Sequence, residues 1–187
     1  DKLTGIYNRS GFDKALKKYL KINPDKNCIV ADLDIDDFKF INDMYGHETG
    51  DEALRSLASY MKEYFPMNAV IGRNGGDEFV VLLPNQTGKS AHDKLNEFTK
   101  LHKSFLHNGE QHSFTISLGY AEYPKQAGTR EELLRHADVA LYEVKLRGKN
   151  GCAIYEKGLD EIRTQLGFAL KDVSAHLPGA FLIYKAD

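Results

Sequence analysis

Two adjacent glycines set between apolar, β-rich runs constrain this chain more than any other feature. Asn74-Gly75-Gly76-Asp77 separates Ala69-Val70-Ile71 from the run Phe79 to Leu83. Glycine and asparagine tolerate positive φ, so a tight turn is expected there. Apolar runs of strand-forming residues on both sides make the whole segment a β-hairpin.

The remaining pattern surrounds this hairpin with helices and strands. Ser10 is a candidate cap for a helix carrying Phe12, Ala15, Leu16, Tyr19 and Leu20 at near-helical spacing. Cys28 to Leu33 is a short apolar run suited to a buried strand. A second helix is expected from Asp51, with Ala53, Leu54, Leu57, Ala58 and Met61 on one side and Pro66 ending it. Gly88 to Leu106 is expected to be helical with Leu95, Phe98, Leu101 and Phe105 inward, and Phe114 to Ala121 to be a strand. Thr129-x-x-Glu132 opens another helix with a capping-box pattern, and Gly148 is placed to end it. Gly151 to Tyr155 is a last strand. The expected order is α-β-α-β-β-α-β-α-β, an α+β arrangement of a sheet covered by helices. Residues 158–187 form a weaker unit: a helix over Asp160 to Val173, a break at Leu177-Pro178-Gly179, and a strand over 180–184. They are expected to be a linker helix entering a further domain, or a tail packed on the first.

Composition limits the partners. Lys plus Arg number 25 and Asp plus Glu 27, a formal net charge of -2, so nothing draws the chain to nucleic acid or to an anionic membrane over long range. Cys28 and Cys152 lack chelate spacing and sit in apolar stretches, where they are expected to be small core residues. The absence of a signal peptide and of a bilayer-spanning apolar run makes the cytoplasm the expected compartment, with a membrane anchor on a longer parent protein left open.

Two acidic clusters carry the chemistry. Asp32-Leu33-Asp34-Ile35-Asp36-Asp37 lies at the end of the first strand, and Asp77-Glu78 follows the paired glycines. Acids at period two share a strand face and repel unless they spread off its end or meet a cation. If the two strands are neighbours, Asp34 and Asp77 reach one ion. Carboxylate oxygens suit Mg²⁺, which binds substrate phosphates, and the glycines let backbone approach a phosphate. Together these point to metal-dependent phosphoryl transfer. Other readings fail: a calcium loop starting at Asp32 would need Gly at Asp37 and Glu at Asp43, and Gly88-Lys89-Ser90 lacks the upstream glycine of a phosphate-binding loop, where Leu83 stands.

Several further segments accompany Gly75-Gly76-Asp77-Glu78-Phe79. They are Asp1-x-Leu3-Thr4-Gly5-x-Tyr7-Asn8-Arg9, the stretch from Asp34-Ile35-Asp36-Asp37-Phe38-Lys39 through Asn42-Asp43, Tyr45-Gly46-His47 and Gly50-Asp51, then Ser117-Leu118-Gly119-x-Ala121, and Ala137-Asp138 through Gly148-Lys149-Asn150. In this order they resemble the GGDEF family of nucleotidyl cyclases over roughly residues 1–157. The resemblance implies a central, largely antiparallel sheet ringed by helices, similar to the palm of adenylyl cyclases and polymerases, with a ferredoxin-like core. It implies a diguanylate cyclase joining two GTP molecules into cyclic di-GMP, with pyrophosphate released.

By the same resemblance, Asp34, Asp77, Glu78 and the Ile35 carbonyl are the expected ligands of Mg²⁺ or Mn²⁺. Asp77, Glu78 and Lys39 are the expected catalytic groups, Asp77 being a candidate acceptor of the 3′-hydroxyl proton. Asn42 and Asp51 are expected to read the guanine edge, with His47 near the same pocket. Lys39, Lys145 and Lys149, with the backbone around Phe38 and the glycines Gly75 and Gly76, are expected to meet the phosphates.

Departures from the family pattern also carry expectations. Asn74 stands where an aromatic residue is usual, and Lys149 where Arg is commoner, which loses a bidentate grip. The family's Arg-x-x-Asp product-inhibition motif falls on Pro66-Met67-Asn68-Ala69, so no feedback through that site is expected. One site per domain requires two domains face to face, so a homodimer, lasting or transient, and regulatory or effector domains of a longer parent chain are the expected partners. The alternative is a catalytically silent GTP-binding module that controls a neighbouring domain.

Overall fold

In the computed structural model, which describes residues 1–159, the hairpin lies inside a six-stranded sheet. The elements run β1 (Tyr7–Asn8), α1 (Arg9–Ile22), β2 (Cys28–Ile35), α2 (Phe38–Tyr45), α3 (His47–Tyr64), β3 (Val70–Gly75), β4 (Glu78–Pro84), α4 (Gly88–Lys100), β5 (Lys103–His107), β6 (Glu110–Phe114), β7 (Ile116–Tyr123), α5 (Arg130–Leu146) and β8 (Gly151–Ile154). The sheet order is β1-β3-β4-β2-β7-β8, and β5 and β6 form a separate two-stranded sheet. β3, β4, β2 and β7 are antiparallel to their neighbours, while β1 joins β3 and β8 joins β7 in parallel. The architecture is α+β with a mixed central sheet, antiparallel in the middle and parallel at both margins.

β2 is the middle of the sheet, paired to β4 on one side and β7 on the other. Ile29, Val30, Ala31 and Leu33 are fully buried, as a strand covered on both faces requires. α3 lays Ala53, Leu54, Leu57, Ala58 and Met61 on the sheet, each large side chain contributing about 1.5–3 kcal/mol by leaving water. α5 lies so close to β7 that a Cβ on Gly119 would come within 1.9 Å of the Leu141 backbone nitrogen, so only glycine fits. The capping box expected at Thr129 and Glu132 is present, and Gly148 follows the helix at φ +107.

Several elements differ from the sequence expectation. Asn8, not Ser10, caps α1, because its side chain accepts from the Gly11 N–H at 2.9 Å. β2 continues through Ile35, so Asp34 belongs to the strand rather than to its frayed end. α3 begins at His47, which leaves Asp51 in its second turn. α2 was not anticipated: eight residues opened by Asp37 at φ 56, with no side-chain cap, leave little trace in the sequence. α4 stops at Lys100, before Leu106. Buried Lys103 donates its ammonium to the carbonyls of Phe98 and Leu101 at 2.5 and 3.1 Å, closing the helix end, and Phe105 is buried from a strand instead. The turn Asn108-Gly109, with φ of 51 and 83, then folds β5 onto β6, and Phe114 belongs to β6 rather than to β7. Cys28 is buried and Cys152 half-buried, both as free thiols.

The chain divides into a compact unit, Asp1–Tyr155, and a second, Glu156–Asp187. The helix expected over 160–173 and the strand over 180–184 lie outside the described residues. Among the described residues, no helix is long and apolar enough to cross a membrane.

Candidate active site

The β2–β4 register places Asp34 directly opposite Glu78, and the β2–β7 register places it opposite Ser117. The paired glycines then fold Asp77 over the same strand ends: Gly75 and Gly76 hold φ of 140 and 51, and the register shifts between Arg73 and Gly75. Only glycine adopts the first of these at low cost. The two acidic clusters of the sequence thus converge where β2 and β4 end together.

The acids act on one another. Burial, and then the neighbouring Asp34, push the Asp77 carboxyl up to about 6. Burial and Asp34 also raise Glu78, and they raise Asp32 well above the usual carboxylate range. Asp34 is buried, and its Oδ2 accepts from the Lys145 ammonium. Burial pulls Lys145 down, but Asp34 beside it more than offsets this and leaves its pKa raised. One lysine does not balance this much acid. The Oδ1 atoms of Asp34 and Asp32 are shielded from solvent and have no hydrogen-bond partner among the described residues. An orphaned carboxylate oxygen among repelling acids is the environment that a hard cation relieves. Among the described residues no three acidic, His or Cys side chains are grouped as a metal ion would need them. The oxygen donors at these strand ends, the carboxylates of Asp34, Asp77 and Glu78 and the Ile35 carbonyl, are of the chemical type that a hard divalent cation takes.

Asp36 does something else. Its carboxylate accepts from Thr115 Oγ1 at 2.7 Å, Ser117 Oγ at 2.6 Å and the Asn150 N–H at 3.0 Å. These bonds hold the loop after α5 against the end of β2. In that loop Gly148, Lys149 and Asn150 all have positive φ, at 107, 66 and 50. The resulting tight turn returns Lys149 to Asp37, whose Oδ1 accepts from it at 2.6 Å, while Lys145 reaches Asp34 from the last turn of α5. Two of the three lysines singled out in the sequence, Lys145 and Lys149, therefore stand over the acids.

Phe38 and Lys39 form the first turn of α2, immediately after Asp37. With no side chain capping it, that turn presents backbone N–H groups suited to an anion. Asn42 lies further along α2 and packs against α3 at Gly50, where a Cβ would come within 2.0 Å of Asn42 Oδ1. The missing side chain at Gly50 thus brings Asn42 beside the residue preceding Asp51. His47 is exposed one turn before Asp51 on α3.

Arg73 was missed by the sequence reading. Its Nε donates to the Gly76 carbonyl at 2.8 Å and its Nη1 reaches both carboxylate oxygens of Asp1 at 3.3 Å. Asp1 also accepts from the Thr4 N–H and hydroxyl at 3.0 and 2.8 Å. Arg73 therefore ties the glycine turn to the opening segment. No local pattern marked it, because Arg73 and Asp1 stand 72 residues apart in the chain.

Comparison with known proteins gives the family. Residues 1–151 match the family described as diguanylate cyclase, GGDEF domain. The YhcK protein of Bacillus subtilis (strain 168) is 38% identical over 163 residues, covering 84% of this chain and 45% of YhcK. The probable diguanylate cyclase DgcC of Escherichia coli (strain K12) is 35% identical over 158 residues, 80% of this chain and 41% of DgcC. The chain thus spans less than half the length of these relatives. Among solved structures, the GGDEF domain of DgcB from Caulobacter crescentus in complex with c-di-GMP superposes with a TM-score of 0.75 at 30% identity, covering 84% of this chain and 93% of that one. The palm-like α+β architecture expected from the sequence is the one observed, and the chain belongs to the GGDEF diguanylate cyclase domain family.

Proposed function

We propose that this domain is an active diguanylate cyclase, condensing two GTP molecules into cyclic di-GMP with release of pyrophosphate. The observation that carries the reading is the β2–β4 register, which sets Asp34 against Glu78 beside the Asp77 turn and leaves a buried Asp34 oxygen without a partner. Asp34, Asp77, Glu78 and the Ile35 carbonyl would hold Mg²⁺ or Mn²⁺, which when bound supplies charge neutralisation on the triphosphate and a more acidic 3′-hydroxyl.

The chain's own residues do the rest. Asn42 and the Asp51 carboxylate pair with the guanine edge. A carboxylate accepting from guanine N–H groups is left unpaired by adenine, which gives strong discrimination. His47 borders this pocket. The N–H groups at the start of α2, around Phe38, and the backbone of Gly75 and Gly76 cradle phosphate oxygens. Lys39, Lys145 and Lys149 meet the negative charge that develops there. Asp77, already raised by burial toward the range of a working base, takes the proton from the 3′-hydroxyl.

Each hydroxyl attacks the α-phosphate of the other nucleotide, so two copies face each other about a two-fold axis. The domain works in the cytoplasm as part of a longer chain whose other domains set how often two copies meet. A silent GTP-binding module differs in one respect only, turnover. Incubating the chain with GTP and Mg²⁺ and identifying the product by mass separates the two. Cyclic di-GMP from the parent chain and none from Asp34→Ala or Asp77→Ala supports the cyclase. GTP binding without product, even when two copies are tethered, overturns it.

A further inference from the structure

α2 has a second neighbour besides α3. Between α2, the end of α4 and the β5–β6 hairpin lies a cavity of about 750 Å³. None of Asp34, Asn42, Asp51, Asp77, Glu78 or Lys145 lines it. Its size is that of a site for a small organic molecule.

Strand register orders the lining along its length. Lys103 pairs with Phe114, next to Thr115 and hence to Asp36, which defines a polar end. Phe105 pairs with His112 two positions further on and defines an aromatic end. There His112 stacks on Phe105 with centroids 5.3 Å apart, and it meets Tyr45 of α2 edge-on at 4.8 Å.

The charges at the polar end are mostly spent. Asp36 is saturated by Thr115, Ser117 and Asn150, and Asp37 is paired with Lys149. The Lys103 ammonium is taken up by the carbonyls that end α4. Lys100 also lines the cavity, is exposed, and has no ion pair or hydrogen bond among the described residues. The charge left for a ligand is therefore positive.

We propose that this cavity binds a small aromatic anion, its rings against Tyr45, Phe105 and His112 and its acidic group toward Lys100. Offset and edge-on ring contacts hold a planar body, and a single unpaired ammonium selects the sign of its head.

The test uses the 187-residue chain and the fluorescent probe 8-anilinonaphthalene-1-sulfonate, which joins an aromatic body to one sulfonate. Saturable binding of one probe per chain is expected. His112→Ala and Tyr45→Ala, each removing one ring of the aromatic end, should both weaken it at least about tenfold. Lys100→Glu should weaken the probe about tenfold, and leave the uncharged analogue N-phenyl-1-naphthylamine unchanged. GTP with Mg²⁺ in excess should not displace it. The proposal is overturned by absence of saturable binding, by binding that both ring deletions leave intact, by a sulfonate that ignores Lys100→Glu, or by displacement with GTP. That last result would put the probe in the nucleotide site without touching the cyclase reading.

Discussion

On the proposed reading, Asp77 sits where proton and cation compete. Its carboxyl is pushed up to about 6, first by burial and then by Asp34. A carboxyl raised in the folded state contributes stability that is complete below its unfolded value, about 4, and is lost as pH rises through about 6. Above that range the acids of the site repel one another, and a cation has most to relieve. Saturating Mg²⁺ should therefore raise the unfolding midpoint more at about pH 7.5 than at about pH 5, by at least about 2 °C. Differential scanning fluorimetry reads this, and Asp77→Asn should shrink the difference. Equal shifts at both values would mean that Asp77 does not take part in cation binding. The acids themselves were legible in the sequence, because alternating carboxylates on a strand are a costly pattern. Asp36 was legible only as one of them. Its three donors come from β7, the residue before it and the loop after α5, and no local pattern predicts partners so distant in the chain.

Two glycines show how elements meet in different ways. At Gly119 a Cβ would strike backbone, with Ala137 O at 2.4 Å and Leu141 N at 1.9 Å, and neither α5 nor β7 can yield locally. Gly119→Ala should cost about 3 kcal/mol in a urea titration. At Gly50 the nearest atom is the end of the Asn42 side chain, which can rotate away. Alanine's helix preference, about 1 kcal/mol over glycine, offsets the strain, so Gly50→Ala should leave stability nearly unchanged. Asn42 moves instead, and on the proposed reading GTP affinity should fall about tenfold by calorimetry. An unchanged affinity would remove Asn42 from guanine recognition. At this scale the sequence was read correctly where periodicity was long, as in α3 and α5. It was misread at α4, because Leu95, Phe98, Leu101 and Phe105 keep helical spacing across a point where the chain turns into a strand. Asn108-Gly109 was the available signal for that hairpin. Its flanking residues, mostly polar, masked the alternation that normally accompanies such a turn.

For the whole molecule, the site is half of what the proposed reaction needs. The initial rate per chain should rise with protein concentration while dimers are scarce, and fusion to a parallel coiled coil should remove that dependence by raising the effective concentration. A rate per chain that is flat across dilution, for a chain shown to be monomeric by sedimentation, would rule out the two-copy arrangement. The sequence by itself determined the family, the hairpin, and the identity of the acids and lysines, because glycine conformation, strand alternation and charge repulsion act over a few residues and leave local marks. Only the tertiary structure decided the rest. It set Asp34 opposite Glu78, turned Lys145 and Lys149 back over the acids, drew Arg73 to Asp1, and opened the cavity behind α2. Each of these depends on strand register and on contacts between residues far apart in the chain, and their energies arise from burial and from charges brought close only after the sheet has formed.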